Sequence, residues 1–341
     1  MRSTLRSRWS YSVFSWGVVL AMAFGLLGSV PAAGQKEALG TIGAGFQVKA
    51  SKATDPAAAV EPYKTYEKAS YGTGGVALRN RGRGVLHVSG VTGPVQDAYL
   101  YWAILFKTAP ATCFSHVLLR PITFPLFDFV EIPLTGTLLG ISADPAWGST
   151  GGAVYRAQVP KWIAQGNGAY EVTLARGSSG LTDGEDPWDG DVVFPLAEGA
   201  SLVIIGTGNY TVGIYDTGFT ATEFCSTTLT YTLNLPALYT SDALWDNIGA
   251  DGQTGHSRDA TATVSLETTV INTVKISGPG ALDNDSDWNG SSGFPLPQLW
   301  DDTGHDISAA FAGDPAPTTA AISFTSNGDC LVTVANVLAV K

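Results

Sequence analysis

Thr228-Leu229-Thr230-Tyr231-Thr232-Leu233 alternates hydroxyl and apolar side chains without a break. Thr261-Ala262-Thr263-Val264-Ser265-Leu266 repeats the pattern. A period of two puts every second side chain on one face, the signature of a strand with one buried side. Working outward, further β-branched and aromatic runs bounded by Gly, Pro, Asn or Asp fall at 84–91, 98–106, 169–174, 201–205, 210–215, 320–324 and 331–340. One helix-like stretch, 159–164, runs into Gly166-Asn167-Gly168 and reads as a single turn crossing between strands. Many short strands without interleaved helices predict an all-β fold. The expected form is an antiparallel, jelly-roll-like β-sandwich with long loops rich in Asp, Gly and Trp.

Composition agrees. Of 341 residues, 40 are Gly and 18 Pro, 45% are hydrophobic and 14% are charged. That is too apolar for disorder and too poor in helix formers for a bundle. Acidic residues outnumber basic ones 30 to 19, and no basic patch is visible, which argues against nucleic acid as a partner.

The first 34 residues read as a secretory signal peptide. Arg2, Arg6 and Arg8 precede an apolar run at 18–27, and Val30-Pro31-Ala32-Ala33-Gly34 offers small residues for cleavage after Ala32 or Gly34. The run is short for a membrane span, and no later segment is long and apolar enough to be one. Export to the cell surface, the extracellular space or the periplasm is expected. Removing three Arg leaves 16 basic against 30 acidic residues, a net charge of −14. Residues 35–68 read as an extended lead-in and 69–341 as one sandwich domain.

Cys113, Cys225 and Cys330 allow one disulfide in an exported protein. Cys225 and Cys330 each sit just before a strand pattern, which favours that pair over the other two pairings or three free thiols. No CxxC supports a cysteine zinc site.

Several motifs resemble an uncharacterised family of secreted bacterial and archaeal β-sandwich domains found in adhesin-like surface proteins. Gly199-Ala200-Ser201-Leu202-Val203-Ile204-Ile205, then Val212-Gly213-Ile214-Tyr215-Asp216-Thr217-Gly218, is similar to its "GASLVV…YDG" core. Asp97-Ala98-Tyr99-Leu100-Tyr101-Trp102 resembles its "A-LYW" strand. The stretch 155–170 resembles its turn before a "GNG-Y-V" strand. Asp251-Gly252-Gln253 and Leu299-Trp300-Asp301 resemble its C-terminal half. Thr217, inserted in the Asp-Gly pair, departs from the pattern. The resemblance runs from about Gly74 onward and implies a secreted sandwich and little chemistry.

Function is expected in the loops. Asp283-Asn284-Asp285-Ser286-Asp287-Trp288-Asn289-Gly290 places oxygen ligands at alternate positions. Asp283, Asp285, Asp287 and Asn289 could thus wrap calcium, which takes six to eight oxygens. The loop is no EF-hand, since Trp288 stands at its sixth position and Phe294 at its twelfth. A second acidic loop offers Asp183, Asp186, Asp189 and Asp191. Solvated Asx-turns are the alternative for both.

An internal echo joins Leu244-Trp245-Asp246, then Thr254-Gly255-His256, to Leu299-Trp300-Asp301, then Thr303-Gly304-His305. Lying side by side, His256, His305, Asp246 and Asp301 could hold a transition metal. Matching loop caps are the alternative. Trp102 and Trp162 fit core patterns, whereas Trp147, Trp188, Trp245, Trp288 and Trp300 sit among Asp and Gly. Exposed indoles beside carboxylates suit sugar rings, which stack on the ring face and hydrogen-bond through hydroxyls. Trp188, Trp245, Trp288 and Trp300 are therefore candidate ligand-binding residues, with plugging of the sandwich ends as the alternative.

No GxSxG, HExxH or P-loop is present. Two-carboxylate glycosidase chemistry has no local signature, and Glu131 and Glu171 lie in strand-like segments. The leading expectation is a non-catalytic extracellular or cell-surface module. It would bind glycan or a surface protein through calcium-ordered loops. A glycan-acting hydrolase and a structural subunit of a surface fibre are the alternatives.

Overall fold

A computed structural model describes residues 59–122, 130–142, 146–187, 191–217, 224–225, 228–251, 261–265, 273–276, 299–311, 317–325 and 330–341. The signal peptide and most of the lead-in lie outside these residues. So do Trp188, Asp189, His256, Asp283, Asp285, Asp287, Trp288 and Asn289.

Within them the chain forms β1 (Lys64–Ala77), β2 (Arg83–Val88), β3 (Val95–Phe106), β4 (His116–Pro121), β5 (Ile132–Thr135) and β6 (Thr137–Ser142). Next come β7 (Gly151–Gln158), β8 (Gly168–Leu174), β9 (Leu196–Thr207), β10 (Tyr210–Asp216), β11 (Phe224–Cys225) and β12 (Thr228–Asn234). The last are β13 (Ala243–Ala250), β14 (Thr261–Ser265), β15 (Thr273–Ile276), β16 (Trp300–Asp306), β17 (Thr319–Thr325) and β18 (Cys330–Val340). A single helical turn, α1 (Ser308–Phe311), links β16 to β17. The expected turn after Gln158 is there: Ile163 and Ala164 both donate to the Pro160 carbonyl.

The strands make three antiparallel sheets. The largest runs β16-β13-β18-β10-β1-β9-β3-β7-β6, with β11 also on β18. The smaller ones run β2-β8-β4-β5 and β12-β17-β14-β15. The antiparallel sandwich class expected from the alternation is what the chain builds.

The large sheet bends where β1 changes partner. Lys64–Tyr66 pairs with β10, Ala69–Ala77 pairs with β9, and the register breaks between them. Lys68 there has φ 49, in the left-handed region. The bend turns β3, β7 and β9 to face β10, β18, β13 and β16. Contacts across the fold prove it: Tyr101 of β3 donates to Asp216 of β10 at 2.9 Å. Trp300 of β16 donates to Ser201 of β9, also at 2.9 Å. A core of Tyr99, Tyr101, Val203, Val212, Ile248, Trp300 and Val337 fills the interior. The outer faces carry two further cores. Trp102, Leu100, Tyr155 and Leu202 lie under the β2-β8-β4-β5 sheet, and Trp245, Tyr215, Leu338 and Tyr231 under the other.

Strands covered on both faces lose the alternation that makes half-buried strands legible. β13 and β16 are such strands, and their Trp, Asp and Gly content reads as loop. The lead-in also ends earlier than residue 68. β1 starts at Lys64 because that residue and Tyr66 already pair with β10 and bind Asp97. Cys330 is disulfide-bonded and Cys113 is a free thiol, and the ladder partner of Cys330 is Cys225.

Candidate functional site

Two polar clusters occupy the interior of the folded sheet. At one, Asp97 of β3 receives Lys64 Nζ at 2.6 Å, the Tyr66 hydroxyl at 2.9 Å, the Tyr99 hydroxyl at 3.0 Å and Gln158 Nε2 at 2.8 Å. Burial alone would raise this carboxyl. The donors, Lys64 foremost, more than reverse that and bring it down to about 2. Beside it, Arg156 lies over the Tyr63 ring at 3.3 Å and pairs with Asp216, which also accepts the Tyr101 hydroxyl. Asp216 takes its donors from the opposing half, while Asp97 combines Lys64 and Tyr66 of β1 with Tyr99 and Gln158 of its own half. The cluster is a latch between sheet halves.

The second cluster is different. Register puts Asp246 opposite Gly304 and Ile248 opposite Asp302, so Asp246 and Asp302 are diagonal neighbours on the inward face of β13–β16. Diagonal positions lie roughly 7–8 Å apart at the backbone, close enough for two carboxylates to feel each other. Gly304 matters for space: a Cβ there would stand 2.4 Å from Asp246 Oδ1. Likewise a Cβ on Gly199 would strike the Trp300 ring at 2.3 Å. The Tyr71 hydroxyl faces Asp246, and burial first, then that carboxylate, push Tyr71 well above its ordinary value.

Both Asp302 oxygens are buried. The Ser201 and Thr73 hydroxyls face them without reaching full hydrogen-bond geometry. Burial, followed by the charge of Asp246, raises the Asp302 carboxyl to about 7. In front of the pair lies a cavity of about 430 Å³, lined by Ser70, Tyr71, Thr73, Thr92, Tyr210 and Asp246 among others. It offers aromatic rings, hydroxyls and one accessible carboxylate. The second carboxylate is out of a ligand's reach.

Several expected site residues fall elsewhere. Trp245 and Trp300 are both fully buried, so neither indole is open to a ligand. Trp245 donates to Asn336 Oδ1 at 2.7 Å and stacks on His305 at 5.5 Å between centroids. The echoed segments do lie side by side, as β13 and β16, but their side chains diverge. Asp246 points inward, while Asp301 and His305 occupy the outward face. A strand's alternation forbids Asp246 and Asp301 from sharing one metal. Trp162, assigned to the core, is 52% exposed, because the turn directs Ile163 and Ala164 inward in its place.

Trp147 is held edgewise, donating to Asp251 Oδ1 at 2.8 Å with Arg79 over its ring. Glu171 is committed to Arg120 at 2.9 Å and Glu131 is exposed, so these two acids do not converge on a cleft. In the first acidic loop, Asp183 accepts the Glu185 amide at 3.1 Å in an Asx-turn. Asp186 lies near Arg81, and Asp191 is exposed. Among the described residues, no three His, Cys, Asp or Glu side chains are grouped to hold a metal.

Nothing in the linear order of residues marks Tyr71, Thr73, Tyr210 and Asp302 as neighbours. They come from three strands brought together by the bend in β1.

The fold and site define an all-β protein of packed antiparallel sheets. No family model and no curated protein matches the chain. Among solved structures, an infectious bursal disease virus VP2 subviral particle aligns at 11% identity and TM-score 0.26, over 85% of this chain and 74% of the viral one. Dimeric latent PorU from Porphyromonas gingivalis aligns at 9% identity and TM-score 0.24, over 80% of this chain and 24% of PorU.

Proposed function

We propose that this chain is a secreted, non-catalytic module that binds a glycan in the cavity before Asp246, with calcium ordering its acidic loops. One observation carries the reading. The cavity joins the Tyr71 and Tyr210 rings to the hydroxyls of Ser70, Thr73 and Thr92 and to the Asp246 carboxylate. Sugars demand that mixture, since their C–H faces stack while their hydroxyls need donors and acceptors in fixed places. The paired carboxylates favour a second reading, a glycan hydrolase. The burial of both Asp302 oxygens weighs against it, because a general acid must come within hydrogen-bond reach of the departing oxygen. Among the described residues, no helix is long and apolar enough to cross a membrane.

A glycan array read alongside turnover assays tests this. Binding without turnover is expected, and Tyr210→Ala should weaken it about tenfold through loss of one stacking face. Turnover that disappears in Asp246→Asn would replace the binding reading with the hydrolase.

Calcium is tested separately, on residues outside those described. Three carboxylates within five residues, Asp283, Asp285 and Asp287, repel one another unless a cation joins them. Calcium at a hundredfold excess over Kd should stabilise the fold by about 2.7 kcal/mol. EDTA should remove that gain, and Asp285→Ala should abolish most of the difference. A melting temperature indifferent to both reagents would leave only solvated turns.

A further inference from the structure

We propose that a second pocket, formed where β2 begins and β8 ends, binds a tetrahedral oxyanion carried as a sulfate or phosphate monoester. The space is about 280 Å³, and Arg81, Arg83, Arg176, Thr173, Ser179 and Thr182 line it. Two turns deliver the guanidiniums. One follows Leu78, whose carbonyl accepts the Arg81 and Gly82 amides; the other closes through Ser178 onto the Ala175 carbonyl. Gly82 at φ 66 and Gly177 at φ 90 allow the reversals. Between the turns, Arg83 stands directly opposite Thr173 in the ladder.

What singles out these arginines is the fate of the other described ones. Arg79 pairs with Glu198, Arg120 with Glu171 and Arg156 with Asp216, each consumed inside the fold. Arg83 and Arg176 form no ion pair with any described residue and are exposed at the pocket. Arg81 is half-buried beside them and feels Asp186. Outside the signal segment the sequence holds seven Arg in a chain of net charge −14, and three of the seven converge here.

Like charges gathered around one space repel, and an arriving anion relieves that repulsion. The guanidinium fork matches a tetrahedral oxyanion, and the Thr and Ser hydroxyls add further donors. Three such forks plus hydroxyls exceed what the two oxygens of a carboxylate can accept. A sulfated sugar and a phosphorylated lipid headgroup share this chemistry.

The proposal does not rest on the glycan cavity before Asp246, which is lined by other residues. It is tested by calorimetric titration of the full exported chain at low salt. The probes are inorganic sulfate, inorganic phosphate, a heparin-derived tetrasaccharide, and phosphatidylcholine vesicles containing a phosphatidylinositol monophosphate. Saturable binding of sulfate or phosphate is expected. It should weaken at least about tenfold in Arg83→Gln/Arg176→Gln, and less in the double Lys variant, which keeps charge but loses the fork. The tetrasaccharide and vesicle arms then tell which source is bound. Should the double variant fail to fold, Arg176→Gln alone, on an exposed turn, carries the comparison. Absence of saturable binding to both inorganic ions, or equal affinity in wild type and the Gln variant, overturns the proposal.

Discussion

Glu198→Ala is expected to lower stability by about 3–5 kcal/mol, the cost of leaving one member of a buried ion pair alone. Glu198 is fully buried, and Arg79, its partner, is 2% exposed. The pair exists because β9 carries a bulge. Gly199 lies opposite Ala103 and Ala197 opposite Ile104, which leaves Glu198 as the extra residue. A bulge re-aims one side chain, and here it sends a carboxylate to the end of β1, where the Leu78 amide also binds the Glu198 carbonyl. Arg79 in turn lies over Trp147 at 4.7 Å, so an unpaired guanidinium would disturb that contact as well. Thermal melts should show a drop of about 10 °C. The double variant Arg79→Leu/Glu198→Leu should recover much of the loss, since a paired charge and an apolar pair of similar size are close in energy. A loss below about 1 kcal/mol in Glu198→Ala would mean that water reaches Arg79 and solvates it.

The strands most visible in the sequence are those with one wetter face. Thr228–Asn234 is the plainest, and its alternation survives because β12 has a covered and an uncovered side. The motif residues at 97–102 and 199–205 were legible for another reason: they are long apolar runs, and they became β3 and β9 at the centre of the large sheet. β13 and β16 were opaque. Their sequences, ALWDNIGA and WDDTGHD, carry acids and glycines because they face a polar interior cluster on one side and a buried core on the other. Gly304 is a good example. In sequence it suggests a turn; in the fold it leaves room for Asp246. The same misreading moved Trp245 and Trp300 to the surface, when both are core residues whose ring nitrogens find buried acceptors. The carboxylate pair was invisible because its members are 56 residues apart and meet only through strand register.

Asp302→Asn should stabilise the protein at pH 8 and leave it nearly unchanged at pH 4. The folded-state value of the Asp302 carboxyl is about 7, against an ordinary value of 3.8. Between those values the folded chain holds a proton that the unfolded chain has released. Stability must therefore fall as pH rises through this window, and level off above it. The full difference corresponds to about 4 kcal/mol, at 1.36 kcal/mol per unit. Asn keeps the shape of the protonated acid and cannot ionise, so the variant escapes the penalty while still facing Ser201 and Thr73. Glu198, raised by burial against the pull of Arg79, loses stability in the same direction, but it does so equally in wild type and variant and cancels in their difference. The two lowered carboxyls act outside the window. Asp97, at about 2, and Asp306, lowered by the Ser308 hydroxyl and amide, contribute stability that is present above the ordinary carboxyl range and lost only in stronger acid. Denaturant titrations from pH 4 to 8 should thus show wild-type stability declining more steeply than that of the Asn variant, with the gap opening through the Asp302 window. A flat wild-type profile would show that Asp302 ionises without cost, with water or a cation at the carboxylates. A variant less stable at both ends would show that its carboxylate is doing bonding work that an amide cannot replace.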